Sequence, residues 1–164
     1  MPRPCRRLLA VSHDYSYSGA PIALYRALPG AGDWEVLVAS PFDGPLRAGY
    51  RRAGIRADVA PGLRGGGDVA AELLRSADVL LANGLLSCAA VRAAHRLGKP
   101  ALLYVHEAQM GAAWARAVPE MADALALADC VIYPARFLVE LYARYRRGGP
   151  TSWWSPRGTR WRRG

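Results

Sequence analysis

Short apolar runs alternate along the chain with longer segments in which apolar residues recur every three or four positions. A short apolar run is typical of a buried strand, and the longer spacing is typical of a helix with one apolar face. The apolar runs predict strands at 8–12, 34–40, 55–59, 79–82, 101–105 and 130–133. The amphipathic segments predict helices at 21–28, 45–53, 69–77, 85–97, 111–128 (broken at Pro119) and 136–145. This alternation predicts an α/β fold, a doubly wound, mainly parallel, Rossmann-like sheet of about six or seven strands with helices on both faces.

Glycine and proline mark several ends of these elements. Pro45 opens a predicted helix that Gly54 closes, and Gly98 closes the helix over 85–97. The segment 62–67 is rich in glycine. A phosphate-binding loop would need a strand before it and a Lys-Ser or Lys-Thr pair after it, so we predict a flexible linker there.

The chain is one ordinary domain in size, with 164 residues of which 52% are hydrophobic. It contains no apolar run of the roughly 18 residues that would span a membrane. The apolar stretch near the N-terminus, 8–11, is too short for the core of a signal peptide. We therefore expect a cytoplasmic protein, either free or in peripheral contact with the inner face of the membrane.

The cysteines and the charge exclude two further classes of function. Cys5, Cys88 and Cys130 lack the close spacing of zinc ligands, so we expect no metal and no cofactor. The net charge is +9, but seven arginines and no acid lie beyond residue 143, and subtracting seven from nine leaves +2 for the rest. A nucleic-acid binder carries its basic stripe on the folded body, so we expect no nucleic-acid partner.

Candidate site residues follow three predicted strands, because ligands of a doubly wound sheet bind beyond the carboxyl ends of its strands. After the first strand, Gly19 and Ala20 would let the backbone approach a ligand, and the next helix begins with free N–H groups that suit an anion. The G-x-G-x-x-G fingerprint is absent, which disfavours a NAD-dependent dehydrogenase. Asn83 follows the fourth strand.

The fifth strand leads into His106 and Glu107. A histidine at this place can donate to a hydroxyl or to a leaving phosphate oxygen, and Glu107 can orient it or act on a hydroxyl itself. A purely structural hydrogen-bonding role for His106 is the alternative. His13 and His95 are weaker candidates, since His95 falls within a predicted helix.

Four segments follow one another in a characteristic order: LLAVSHDYSYSGAPIALYRAL, WEVLVASPFDGPLRAGYRRAGI, DVLLANGLLSCAAVRAAHRLGKPALLYVHEA and ALADCVIYPARFLVELY. In this order they resemble the N-terminal domain of family 4 glycosyltransferases of the GT-B fold, over about residues 7–145. The resemblance implies a retaining enzyme that transfers a sugar from a nucleotide-sugar donor to a carbohydrate or lipid-linked acceptor.

The resemblance also implies roles for the candidate residues. Gly19 and Ala20 would lie near the donor phosphates and the acceptor, and His106 with Glu107 would form the catalytic pair facing the transferred sugar. Asn83 would lie on the acceptor side. The sequence departs from the family at 133–135, Tyr-Pro-Ala, where a serine is common. The family's second domain, in which two glutamates seven residues apart hold the nucleotide sugar, has no counterpart in this sequence.

The segment 150–164 follows no helical or strand period and carries three tryptophans and four arginines. We therefore divide the chain into a Rossmann-like domain, 1–149, and an irregular basic tail, 150–164, that is poorly ordered or loosely docked. The codons ACG TCG TGG TGG TCC CCN encode Thr-Ser-Trp-Trp-Ser-Pro. Read one base earlier, after a G, they encode Asp-Val-Val-Val-Val-Pro, which resembles the strand leading into the family's second domain.

This shifted reading predicts that a frameshift truncated the chain and removed the donor domain, so that the isolated chain is inactive. A natural tail that contacts a membrane or nucleic acid is the alternative for this segment. For the whole chain, the alternative function is a standalone Rossmann-like module that binds a ligand or partner without catalysis.

Overall fold

The computed structural model describes residues 6–64, 67–146, 151–153 and 162–163. The strands are β1 Arg6–Ser12, β2 Trp34–Ser40, β3 Arg56–Val59, β4 Val79–Asn83, β5 Ala101–Tyr104, β6 Cys130–Tyr133, β7 Thr151–Trp153 and β8 Arg162–Arg163. The helices are α1 Gly19–Ala27, α2 Pro45–Arg52, α3 Gly67–Arg75, α4 Cys88–Arg96, α5 Gln109–Ala117, α6 Pro119–Leu127 and α7 Arg136–Tyr142. Short 3-10 turns lie at Leu28–Gly30, Pro61–Arg64, Leu85–Ser87 and Ala143–Tyr145.

The strands form one sheet in the order β3-β2-β1-β4-β5-β6-β7-β8. Neighbouring strands from β3 through to β7 are parallel, and only β8 runs antiparallel to its neighbour, β7. The chain moves outward from β1 to β3 and then returns to the other side of β1 at β4. This reversal confirms the predicted doubly wound, mainly parallel sheet, and it places the switch point between β1 and β4.

Alternate residues of β1 pack into two apolar clusters, one on each face of the sheet. Leu9 and Val11 belong to the cluster that includes residues of α3, α4 and α6, whereas Ala10 belongs to the cluster that includes residues of α1 and α2. Leu9 and Ala10 are 1% and 0% exposed, so both faces of this central strand are covered. A strand buried on both faces explains why 8–11 is a continuous apolar run.

The helix boundaries follow local backbone chemistry. The break predicted at Pro119 is confirmed: Val118 is extended, with φ −121° and ψ 99°, and Pro119 begins α6. The helix predicted over 85–97 instead starts as a 3-10 turn, and α4 begins at Cys88. In the described part of the chain no helix is long and apolar enough to cross a membrane.

Two stretches of the segment that we expected to be irregular, 150–164, have strand backbone. Thr151–Trp153 pairs with β6, with Thr151 opposite Val131, and Arg162–Arg163 pairs with β7. Residues 150, 154–161 and 164 lie outside the described residues. The proposed boundary at residue 149 and the loose docking of the tail therefore stay predictions.

Tyr15 holds the connection after β1 in place. Its side chain is fully buried, and its hydroxyl donates toward the carbonyl oxygens of Val38 at 2.8 Å and Asp58 at 2.9 Å. The Tyr15 carbonyl accepts the N–H of Leu46 at 3.0 Å. Gly44 lies in the connection after β2, and a Cβ on this residue would be 2.6 Å from the carbonyl oxygen of Tyr15. Glycine at 44 therefore allows the connections after β1 and β2 to pack together.

We predict that Gly44→Ala lowers the free energy of unfolding by about 1–3 kcal/mol, because the clash is with backbone that cannot rotate away. Urea unfolding followed by circular dichroism measures this. Gly30→Ala is the control: a Cβ there meets nothing within 4 Å, so a change of less than about 0.5 kcal/mol is expected. Equal losses in the two variants would contradict the prediction.

Candidate functional site

The carboxyl ends of β1, β4 and β5 lie side by side. Ser12 is in register with Asn83, and Asn83 is in register with Tyr104. The connections that follow these strands therefore emerge next to one another at the switch point. This brings together candidate residues that are far apart in the sequence.

The Asn83 side chain joins two of these connections. It is fully buried, its Nδ2 donates to the carbonyl oxygen of Ala20 at 2.9 Å, and its Oδ1 lies 2.9 Å from Nε2 of His106. Ala20 lies in the first turn of α1. Ala20, Asn83 and His106 thus form one cluster at the ends of three strands.

The hydrogen bonds of Asn83 determine which nitrogen of the neutral His106 ring carries the proton. A backbone carbonyl only accepts, so the amide nitrogen of Asn83 must face Ala20 and its oxygen must face His106. Nε2 of His106 therefore carries the ring hydrogen and donates a hydrogen bond to Oδ1 of Asn83. Burial, with a smaller contribution from the neighbouring His13, lowers the pKa of His106 to about 4. Near pH 7 the ring is neutral, and its Nδ1 is a hydrogen-bond acceptor.

The carboxylate of Glu107 is bound to backbone N–H groups. Its Oε1 accepts from Leu85 at 2.9 Å and its Oε2 accepts from His106 at 3.0 Å. The Glu107 carbonyl oxygen accepts from the hydroxyl of Tyr142 at 2.8 Å. Gly84 has φ +89°, and a Cβ there would be 2.7 Å from Oε1 of Glu107. This arrangement fits a residue that fixes the connections after β4 and β5, rather than one that acts on a ligand hydroxyl.

Gly19 is the first residue of α1. A Cβ at this position would meet nothing within 4 Å, so open space lies over this end of the helix. Internal packing therefore does not require glycine at 19. Pro21 has no N–H, and the N–H of Ile22 donates to the carbonyl oxygen of Ser18. The N–H groups of Gly19 and Ala20, together with this open space, suit an approaching anion.

A cleft of about 330 Å³ opens at the ends of β1 and β2, beside the N-terminus of α4. Its walls come from the connections after β1, β2 and β4 and from the 3-10 turn after β3. The lining residues are Val11, Ser12, His13, Asp14, Pro41, Phe42, Leu63, Arg64, Leu86, Ser87, Cys88, Ala89 and Ala90. None of Gly19, Ala20, Asn83, His106 or Glu107 is among them. The structure therefore separates the predicted cluster from the cleft.

His13 lies between the cluster of predicted residues and the cleft. It lines the cleft, and it contributes to the lowered pKa of His106. Its Nε2 is 3.6 Å from Oδ2 of Asp14. Sequence reasoning ranked His13 low and missed Phe42, Arg64 and Leu86, although these residues also follow predicted strands. His95 is exposed on α4 and belongs to neither group.

Comparison with known proteins identifies similar folds. No protein-family model and no curated protein matches this chain. Anabaena HepE in complex with UDP-glucose matches with a TM-score of 0.70 and 16% identity, over 90% of this chain and 43% of that one. A putative UDP-N-acetylglucosamine 2-epimerase from Listeria monocytogenes matches at 0.59 and 15%, over 87% and 43%. The spinosyn forosaminyltransferase SpnP matches at 0.56 and 14%, over 98% and 52%.

These likenesses show the fold. At such low identity they show nothing finer than a Rossmann-like α/β domain. The chain spans about half of SpnP and less than half of the other two chains.

We predict that the stability of the protein falls as the pH falls from about 6.5 to about 4, by on the order of 2–3 kcal/mol. In this window His106 becomes protonated in the unfolded chain but stays largely neutral in the folded chain, because burial lowers the pKa of His106 from 6.5 to about 4 on folding. Urea unfolding at a series of pH values measures the loss. An NMR titration of the ring should give a pKa below about 5.

The variant His106→Gln removes this titration, so its stability should depend less on pH than that of the parent. His95→Gln is the matched control, because His95 is exposed. The pH dependence of the control should equal that of the parent. An unchanged pH dependence in His106→Gln would contradict the assignment.

Proposed function

We propose that residues 1–149 form the acceptor-side, N-terminal domain of a retaining glycosyltransferase that resembles family 4 and has the GT-B fold. The enzyme would break the bond between the anomeric carbon of the donor sugar and the diphosphate oxygen, which releases the nucleoside diphosphate. It would form a bond from that carbon to the oxygen of an acceptor hydroxyl, whose proton passes to the departing diphosphate. The shared fold of HepE with bound UDP-glucose and of SpnP supports this proposal, as does the order of the sequence segments. Retention and membership of family 4 follow from the sequence resemblance.

One observation carries the proposal: the large exposed apolar side chains concentrate at the carboxyl edge of the sheet. Six are exposed in the described part of the chain. Five of them follow β1, β2, β4, β5 and β6, namely Tyr17, Phe42, Leu86, Met110 and Phe137, with exposures from 45% to 66%. Only Leu97 lies at the other end of the domain. Large apolar side chains gathered along one edge favour the binding of another domain or a ligand there, and a donor-binding half placed over this edge would bury them.

The cluster at the switch point supplies roles in this reaction. His106 would accept a hydrogen bond from a hydroxyl of the transferred sugar through Nδ1, while Asn83 holds its Nε2. Glu107 would position the connection that carries His106. Gly19, Ala20 and the first turn of α1 would bind the donor phosphates, whose negative charge the helix N-terminus stabilises.

We further propose that a reading frame shifted by one base encodes the donor-binding half. In that frame a valine-rich strand replaces the segment that starts at Thr151. The backbone of Thr151–Trp153 pairs in parallel with β6 at that place in the sheet. Sequencing the downstream DNA in all three frames tests the proposal. A donor domain with two glutamates seven residues apart would support it, and an unrelated neighbour would instead favour a standalone binding module or a natural basic tail.

In the protein with the donor half restored in frame, we predict that His106→Ala lowers turnover by roughly a hundredfold with folding intact, as is usual for losing one positioned polar group. A transfer assay with a panel of nucleotide sugars measures turnover, and NMR of the product shows whether the anomeric configuration is retained.

The matched control is His95→Ala, which changes an exposed histidine of α4 and should leave turnover unaltered. Activity of His106→Ala within about twofold of the parent would contradict the role of His106.

A further inference from the structure

We propose that the cleft beside α4 binds the acceptor, and that this acceptor is a hydroxyl-bearing molecule with an apolar ring or chain body rather than a free carbohydrate. The word acceptor rests on the proposed function, since only a transferase has an acceptor. The chemistry of the occupant follows from the walls of the cleft.

Two large apolar side chains at the cleft are left in water. Phe42 is 45% exposed and Leu86 is 50% exposed. They come from the connections after β2 and β4, which lie on either side of β1 in the sheet. An apolar body between these connections would remove both side chains from water, which is favourable at about 25 cal/mol per Å².

The polar groups of the cleft are few, and several are already bound within the protein. Ser87 Oγ lies 3.3 Å from the carbonyl oxygens of Val11 and Asn83, to which it donates. Asp14 Oδ1 accepts from both the N–H and the hydroxyl of Ser16 at 2.9 Å. A carbohydrate carries a hydroxyl on nearly every carbon, and each one buried without a partner is costly. These walls do not supply that many partners.

Ser12 and His13 supply partners for one or two hydroxyls. Both residues line the cleft, and Ser12 Oγ and His13 Nδ1 are each buried without a hydrogen-bond partner in the described structure. Buried polar atoms of this kind are normally satisfied, so a ligand hydroxyl near His13 would complete the site.

The charges of the lining also disfavour a strongly ionic occupant. Asp14 and Arg64 balance one another in formal charge, and the Arg64 guanidinium lies 4.8 Å from the centre of the Phe42 ring. A cation at this distance from an aromatic face is already stabilised. The volume of about 330 Å³ is at the lower end of the range for small-molecule sites, which suits a compact ring system or a short chain.

The test measures binding of 2-naphthol, an apolar ring body with one hydroxyl, and of methyl β-glucoside to the 164-residue chain by ligand-observed NMR. We expect 2-naphthol to bind about tenfold or more tightly than the glucoside. Phe42→Ala and Leu86→Asp should each weaken naphthol binding by about fivefold or more, because each removes an apolar wall. Both residues are half exposed, so the variants should fold, and circular dichroism checks this.

The chain offers a matched control for each variant. Phe137→Ala changes the other phenylalanine, which is 53% exposed, and Leu97→Asp changes a leucine that is 42% exposed; neither lines the cleft. Both should leave naphthol binding within about twofold of the parent.

Three outcomes would overturn the inference: no naphthol binding, equal losses in the cleft variants and their controls, or tighter binding of the glucoside with the same dependence on Phe42. The last outcome would leave the proposed glycosyltransferase function standing with a carbohydrate acceptor. Conversely, downstream DNA without a donor domain would contradict the proposed function and leave the measured cleft chemistry unchanged.

Discussion

A buried amide at the end of β4 determines how the candidate site is assembled. Asn83 has no exposed surface, and its two polar atoms bind the carbonyl of Ala20 and the ring of His106. Losing either partner would leave a polar atom unsatisfied in the interior, which is costly. The first turn of α1 and the connection after β5 are therefore held to the same point. The same bonds set which nitrogen of His106 is free to accept.

Around this point the molecule separates two kinds of surface. The polar cluster of Asn83, His106 and Glu107 is satisfied mainly by internal hydrogen bonds and leaves an acceptor nitrogen on a neutral ring. The cleft beside α4 is mainly apolar. His13 borders the cleft and influences His106, so a ligand in the cleft would lie close to the polar cluster. The proposed transfer reaction would use this combination, since an acceptor in the cleft would be held next to the groups proposed to contact the donor sugar.

The remaining apolar side chains at the carboxyl edge extend this picture beyond the cleft. Tyr17, Met110 and Phe137 do not line it, yet each is more than half exposed and each follows a strand of the parallel sheet. A ligand in the cleft would not bury them. A second structural unit over the whole edge would bury them, and the matches cover only 43% to 52% of the three structural neighbours. The proposed acceptor and the proposed donor-binding half would thus cover different parts of this edge.

The sequence by itself determined the elements and the class of fold. The bounds of β2 and β6 were predicted to the residue, because a buried strand is a short apolar run, and the break at Pro119 was predicted because the proline ring restricts the residue before it. It also placed Asn83 and His106 each at the end of a strand.

Only the tertiary structure decided that Asn83 and His106 touch, since the order β1-β4-β5 brings together residues that are 23 positions apart. It likewise decided that backbone N–H groups bind the Glu107 carboxylate, and that Phe42, Leu86 and His13 share a cleft. These relations depend on which strands are neighbours and on the paths of their connections, and local periodicity carries no information about either.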